Sequence, residues 1–297
     1  MSASPRVVLI TRPTPYEMLL ARHATREQAR FFLEMRGQTI EALEREHERF
    51  DAARRGVLGA VPSAWRSARV GRDDLDRFLF EPEDVVVALG PDGLVANVAK
   101  YLAGQVVIGL NPEPEAYAGI LVRHDPADAR ELLAAAVEPD APVDARTLAE
   151  CRLDDGQRLL ALNEVFVGHA SHQTARYRLD VGGTSERQMS SGMIVTTGTG
   201  ATGWASSICR GLTHPPGLPA PAEPALAFLV REPFASPTTG VGLDAGVLAD
   251  SDALAVTSEM DADGVIFGDG IEADRIVFGY GMRAEVRVAE QRLRLLA

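Results

Sequence analysis

Residues 84–109 read DVVVALGPDGLVANVAKYLAGQVVIG, and they constrain the fold more than any other stretch. A β-branched apolar run, DVVVAL, stops on a Gly-Pro-Asp-Gly turn. An apolar segment of helical length follows and closes at Gly104, and QVVIG then reads as a second strand. Strand, turn, helix and strand in that order form a βαβ unit, whose strands are parallel and whose crossover is right-handed. The unit sets Asp92 at the carboxyl end of a strand and just before a helix N-terminus. Open α/β sheets bind ligands at that rim, and a helix start favours anions. From the residues alone two readings of Asp92 stay open. Any turn favours Gly, Pro and Asp; alternatively, small residues let a phosphate approach the backbone while the carboxylate accepts a proton from an alcohol.

Around this unit the pattern divides in two. RVVLIT (6–11) predicts a first strand, and a long helical stretch is expected from about Thr25, where Thr25 and Gln28 have capping-box spacing. Phe32, Met35, Leu43 and Phe50 form its expected buried stripe, and EALEREHERFDAARR its solvated face. From about residue 145 short strands alternate with Gly, Asp and Pro turns: TLAECRL, RLLALNEVFVG, ARYRLDV, GMIVTTG, ALAFLV, ALAVTS, GVIFG, RIVFG and AEVRV. HPPGLPAPAEP (214–224) reads as a surface loop. The expected architecture is an α/β domain with a parallel sheet over residues 1–140, followed by a β-rich, sandwich-like domain over 141–297. The cleft between them is the default ligand site.

Charge narrows the function classes. The net charge of −12 opposes binding to nucleic acid or to an anionic membrane face. Lys100 is the only lysine and has no P-loop context, so phosphate clamping must come from arginine, backbone N–H groups or a metal. Cys151 and Cys209 give no zinc spacing and fit a reducing compartment. The N-terminus lacks a signal-peptide core and no apolar stretch reaches membrane-spanning length, so a cytoplasmic protein is expected.

Three further segments carry polar chemistry. Leu162-Asn163-Glu164 places a polar pair inside an apolar run, where it must be satisfied or must recognise sugar hydroxyls or an amide. In SSGMIVTTGTGATGW (190–204) a strand runs into Thr197-Gly198-Thr199-Gly200, whose hydroxyls and N–H groups suit phosphate or ribose; the spacing is not that of GxGxxG. Asp261-Ala262-Asp263-Gly264 and Asp269-Gly270 supply carboxylates near one another, yet without the later ligands of an EF-hand, and hairpin turns are the better reading. The six histidines show no HxxxH spacing, and no GxSxG elbow is present.

Taken in order, GPDG (90–93), ALNEV (161–165), TTGTGATGW (196–204) and DADG (261–264) resemble the motifs of the NAD kinase family, and VVIGLNPEPEAYAGIL (106–121) is similar to its stretch after the second strand. SSG followed closely by TGTG is most similar to the mitochondrial-type branch. The resemblance covers roughly residues 80–290. It implies transfer of the γ-phosphoryl of ATP, or of another phosphate donor, to the adenosine-ribose 2′-hydroxyl of NAD, with Mg²⁺ bridging the phosphates. It further implies Asp92 as general base and Gly90 and Gly93 against phosphate oxygens. Asn163 and Glu164 would grip the dinucleotide, with Thr197, Thr199 and Gly200 near phosphate or ribose and Thr202, Gly203 and Ser207 along its adenosine half. The chain departs from the pattern at Pro91, which lacks an N–H where the family has glycine. It departs also at Ser191, which replaces an aspartate, and at Gly198 and Gly203, which replace a proline and an alanine. The rival readings are a related kinase acting on a lipid or sugar alcohol and a non-catalytic nucleotide-binding protein. A homodimer is expected, as two-fold homo-oligomers are common.

Overall fold

The computed structural model describes residues 4–297, which divide into two compact units. One runs to Val143 and takes back Arg294–Ala297; the other is Asp144–Leu293.

In chain order the first unit contains β1 (Arg6–Thr11), α1 (Pro15–His23), α2 (Arg26–Glu34), α3 (Ile40–Ala60), β2 (Arg66–Gly71), β3 (Asp84–Leu89), α4 (Asp92–Ala99), β4 (Val106–Leu110) and α5 (Ala129–Ala136). The strands are parallel in the order β2-β1-β3-β4, with Arg294 and Leu295 adding a parallel pairing beside β4. All six residues of β3 are buried, which is why it reads as an unbroken apolar run rather than an alternating one. On one face Val85, Val87 and Leu89 join Phe50 and Val57 of α3 and Leu133 of α5 in a core. Asp84 opens β3 as a buried carboxylate, and the register sets Arg6 opposite it. The Arg6 guanidinium donates to both its oxygens, at 2.8 and 2.7 Å, the bidentate geometry that a buried carboxylate needs.

The second unit carries β5 (Val143–Leu153), β6 (Arg158–Ala161), β7 (Glu164–His169), β8 (Ala175–Val181), β9 (Thr184–Ser190), β10 (Met193–Thr196), α6 (Trp204–Cys209), β11 (Ala225–Val230), β12 (Ala245–Ala249), β13 (Ala253–Ser258), β14 (Gly264–Gly268), β15 (Ile276–Val277) and β16 (Arg283–Leu296). Its pairings are antiparallel. One sheet runs β12-β11-β10-β7-β14-β15, while β13 lies between β16 and β8 in the other, with β9 beyond β8. Val165, Val195, Phe228 and Ile266 of the first sheet and Tyr177, Leu179, Val256 and Val286 of the second share one buried core, so the unit is a sandwich. The expected fold class, a parallel α/β part followed by an antiparallel β-rich part, is the one observed.

The N-terminal helical stretch is not continuous. It breaks after Glu34, where Gly37 takes φ 68° and its N–H and that of Gln38 return to Glu34 and Leu33 carbonyls, a left-handed helix stop. Consequently Met35 is 70% exposed and outside the stripe; Ala29, Leu33, Ile40, Phe50 and Val57 are the buried residues. Thr25 does cap α2 through the Gln28 N–H, but the reciprocal capping box sits one helix earlier, where Thr14 and Glu17 cap α1. Helix α4 ends at Ala99, before Gly104. In the second unit RLLALNEVFVG is two strands with a bend at Leu162 and Asn163, not one, and RIVFG supplies only Ile276 and Val277. Strands β9 and β12 add to the expected set, and β16 extends AEVRV to fourteen residues.

Candidate active site

Asp92 occupies the first turn of α4, directly after the carboxyl end of β3. Its carboxylate accepts four short bonds from backbone N–H groups: Oδ1 from Ile120, Leu121 and Val122 at 3.0, 2.8 and 3.0 Å, and Oδ2 from Ile120 at 2.9 Å. The segment that supplies them is built to be close. Asn111 ties its start to Tyr117 and Glu113, Gly119 turns at φ 67°, and Gly109 lies so near that a Cβ there would stand 2.0 Å from the Leu121 carbonyl oxygen. Asp92 is thus oriented by main-chain donors. Gly90 turns the chain at φ 149°, and Pro91, at φ −78°, takes the cap position without a side-chain cap. Gly93 is exposed, and a Cβ added to it would meet nothing within 4 Å.

In the second unit the polar pair sits where the sheet leaves the strand pattern. Asn163 lies in the bend between β6 and β7, and Glu164 is the first residue of β7. The bend is held from two sides. The Asn163 carbonyl accepts the Thr197 N–H at 2.8 Å and the Thr196 hydroxyl at 3.2 Å, and the Thr197 hydroxyl donates to Leu162. From the other side Asp269 accepts the Leu162 N–H at 3.0 Å and the Asn163 N–H at 2.6 Å, while its own N–H donates to the Glu164 carbonyl at 3.0 Å. Gly200 is required here by space: its Cβ would stand 2.4 Å from the Asn163 carbonyl oxygen.

The Thr197–Gly200 turn is more internal than its composition implied. Thr197 is fully buried, and its hydroxyl accepts the Thr199 N–H at 3.0 Å and the Gly200 N–H at 3.4 Å. The Thr199 hydroxyl differs, being buried with no hydrogen-bond partner among the described residues, a state that costs about 1–3 kcal/mol unless something else satisfies it. Thr202, Gly203 and Ser207 lie exposed at the start of α6 and along it. Gly198 is pinned by the proline-rich loop, since a Cβ would lie 2.1 Å from the Ala220 backbone.

The two aspartate turns do not form one metal site. Asp261 and Asp263 precede the five-residue strand β14 and Asp269 follows it, a span of about 17 Å in an extended strand. Asp261 pairs instead with Arg176 at 3.0 Å. Among the described residues no cluster of three or more His, Cys, Asp and Glu side chains could hold a metal ion, so the residues present do not supply a magnesium cage. The turn next to Asn163 and Glu164 is Asp269-Gly270 rather than Asp261–Gly264. Its Asp-Gly dipeptide was the signal available in the sequence; the Ile120–Val122 main-chain donors left none.

Burial, reinforced by the negative charge of Asp269, pushes the Glu164 carboxyl up to about 7. Unfolded, Glu164 loses its proton in the ordinary carboxylate range, so between there and about pH 7 the folded chain binds one more proton. Stability from this group is therefore full at acid pH and lost as pH rises through 7, by about 3 kcal/mol in all. Urea unfolding from pH 5 to 8 should accordingly give a Glu164→Gln variant a flatter profile than the wild type, the difference falling above pH 5. Parallel profiles would place Glu164 in a solvated setting.

No protein-family model matches the chain. Curated relatives do. The NAD kinase of Bordetella avium is 31% identical over 173 residues, covering 54% of this chain and 56% of the relative, and NAD kinase 2, mitochondrial, of Rattus norvegicus is 26% identical over 315 residues, covering 78% and 74%. The chain thus spans little more than half the length of the first of these. Two solved structures share the fold. An Archaeoglobus fulgidus NAD kinase in complex with ATP has a TM-score of 0.57 at 18% identity, over 99% of this chain and 93% of that one. Yeast NADH kinase complexed with NADH has a TM-score of 0.63 at 14% identity, over 99% and 84%. The parallel α/β part and the β-sandwich are the architecture that the chain shares with these two structures. In sequence the chain is similar to these NAD kinases.

Proposed function

We propose that this protein phosphorylates the adenosine-ribose 2′-hydroxyl of NAD to give NADP, with ATP as phosphate donor. The observation that carries the reading is the set of motifs at Asp92, Asn163-Glu164 and Thr196–Trp204 in a chain whose relatives are NAD kinases. The 2′-hydroxyl oxygen attacks the γ-phosphorus, the bond to the β-bridging oxygen breaks, ADP leaves, and the hydroxyl proton passes to Asp92. Such a transfer needs mainly positioning and charge neutralisation. The four N–H bonds on Asp92 fix its direction before any substrate arrives, which lowers the cost of bringing base and hydroxyl together.

Gly90 and Gly93 give the phosphates access to the α4 start, and the open space at Gly93 supports that role. Pro91 leaves Asp92 and Gly93 as the first main-chain donors there. Asn163 and Glu164 grip the dinucleotide, with the partnerless Thr199 hydroxyl as a further contact and Thr202, Gly203 and Ser207 along the adenosine half. Magnesium would arrive on the donor's phosphates, which is usual for an ion that keeps several waters. This reading includes a homodimer acting in the cytoplasm, as the acidic composition and the commonness of two-fold homo-oligomers suggest.

Transfer of labelled phosphate resolves donor and acceptor together. With ATP or polyphosphate as donor and NAD, NADH, a sugar or a diacylglycerol as acceptor, label is expected from ATP onto NAD. Label on the sugar or lipid alone would replace this reading with the related-kinase one. Binding of NAD without any label transfer would mark a protein that only binds nucleotide.

A further inference from the structure

We propose that Asp269 is a positioning residue of the acceptor site: its carboxylate clamps the Leu162–Asn163 bend and couples the charge state of Glu164 to the geometry of the pair. The inference rests on the reading of Asn163 and Glu164 as the dinucleotide contacts and adds a residue to it. Three bonds carry it. Both Asp269 oxygens are engaged by consecutive main-chain donors, Oδ2 by Leu162 and Oδ1 by Asn163, and the Asp269 N–H closes the ring onto the Glu164 carbonyl. A bend so clamped cannot flatten into a strand, which would send Asn163 and Glu164 to opposite faces of the sheet.

The clamp is held in an unusual backbone. Asp269 has φ 54° and Gly270 φ 69°. A left-handed conformation is rare outside glycine, and aspartate and asparagine are the residues that tolerate it best. Asparagine would suit the turn equally, so the turn alone does not call for an acid. The two donors do, because a carboxylate accepts with both oxygens, whereas an amide would present an N–H₂ to one of the two N–H groups. The acid in turn places a negative charge beside half-buried Glu164, which raises the proton affinity of that carboxyl on top of burial. A charged pair here repels and a protonated Glu164 does not, so acceptor binding should change across neutral pH.

Asp269→Asn keeps size and turn preference while removing the charge and one acceptor. Two measurements on this variant test the clamp, one of them without any ligand. In the ligand-free protein, NMR should show the Leu162 and Asn163 amide protons moving upfield in the variant and the Glu164 carboxyl titrating at lower pH than in the wild type. By calorimetry, NAD affinity should fall about 10-fold at pH 7 and lose most of its pH dependence between 6 and 8. Gly270→Ala supplies the contrast: it strains the same turn but keeps the charge, so it should weaken NAD without flattening the pH profile. Unchanged amide shifts together with an unchanged Glu164 titration would overturn the proposal, whatever the ligand result. A wild type that binds no NAD would instead overturn the acceptor assignment, with the amide and carboxyl shifts still deciding the clamp. Should Asp269→Asn not fold, a wild-type titration decides: the two amides must follow one acidic step that also perturbs Glu164, and independent steps would sink the coupling.

Discussion

Replacing Asp92 with asparagine is expected to lower turnover by about 10²–10⁴-fold, the usual contribution of a positioned general base, while leaving the fold in place. The structure explains why asparagine is the informative choice. Oδ1 alone accepts from Ile120, Leu121 and Val122, and an amide oxygen can take that place. The remaining bond, from Ile120 to Oδ2, is lost because an N–H₂ would face it. Alanine would remove all four bonds, at about 1–3 kcal/mol for each main-chain donor that water cannot then reach, chiefly those of buried Leu121 and Val122. Steady-state kinetics beside thermal unfolding therefore separates the two roles of Asp92. Asparagine should lose rate and little stability, and alanine should lose both. Equal rates in the wild type and Asp92→Asn would remove Asp92 from the chemistry and leave it a structural latch.

The second large effect is expected at Gly109, which the sequence offers as an ordinary strand residue. A methyl group there would sit 2.0 Å from the Leu121 carbonyl oxygen and 2.8 Å from the Val122 Cα. Both are main chain and cannot swing aside, so Gly109→Ala must drive the segment away from β4 and off Asp92. Overpacking of this kind costs about 1–3 kcal/mol, and the weakened Asp92 bonds add to it. About 3 kcal/mol in a chain of this size corresponds to a Tm lowered by roughly 6–12 °C. Calorimetric unfolding of Gly109→Ala, with Gly93→Ala as control, checks this. The control adds the same methyl where nothing lies within 4 Å, and its Tm should stay within about a degree or two of the wild type. A Gly109→Ala protein as stable as the control would mean that the 120–122 segment yields easily, and its hold on Asp92 would then be loose.

The parts that were legible in the sequence are those in which one residue pattern serves one structural demand. After Asp84, VVVAL is apolar throughout because β3 is covered on both faces, and the Gly-Pro-Asp-Gly turn follows because the chain must reverse into α4. The break between α2 and α3 was hidden because Phe32 and Leu43 continue a helical spacing across it; both do pack in one small core with Leu33 and Ile40, though from separate helices. Strand β9 carries no apolar strand pattern because its inward positions are Gln188 and Ser190; the Gln188 amide N–H₂ donates to the Leu243 carbonyl, and the Ser190 hydroxyl is bonded to that of Tyr177. In β16 the buried apolar residues alternate at Ala284, Val286 and Val288 and again at Leu293 and Leu295, but the phase shifts between the two sets, where Ala289 is also buried, so no single period runs through the strand.

The site divides in the same way. Residue types announced Asp92 and Asn163-Glu164, because a carboxylate in a glycine turn and a polar pair in an apolar run each need a reason. What orients them was not announced. Asp92 is held by main-chain N–H groups about thirty residues away in the chain, and peptide N–H groups carry no sequence signature. Asp269 was visible only as half of an Asp-Gly turn, since its role depends on β14 running antiparallel to β7 and bringing the turn to the bend.

The most direct test of the whole account is a coupled assay for NADP formed from NAD, ATP and Mg²⁺ by the purified protein. The account predicts sustained production of NADP that scales with enzyme. No NADP under conditions where the protein is folded and NAD is bound would contradict it, and the motifs would then belong to a kinase for another alcohol or to a protein that binds dinucleotide without phosphorylating it.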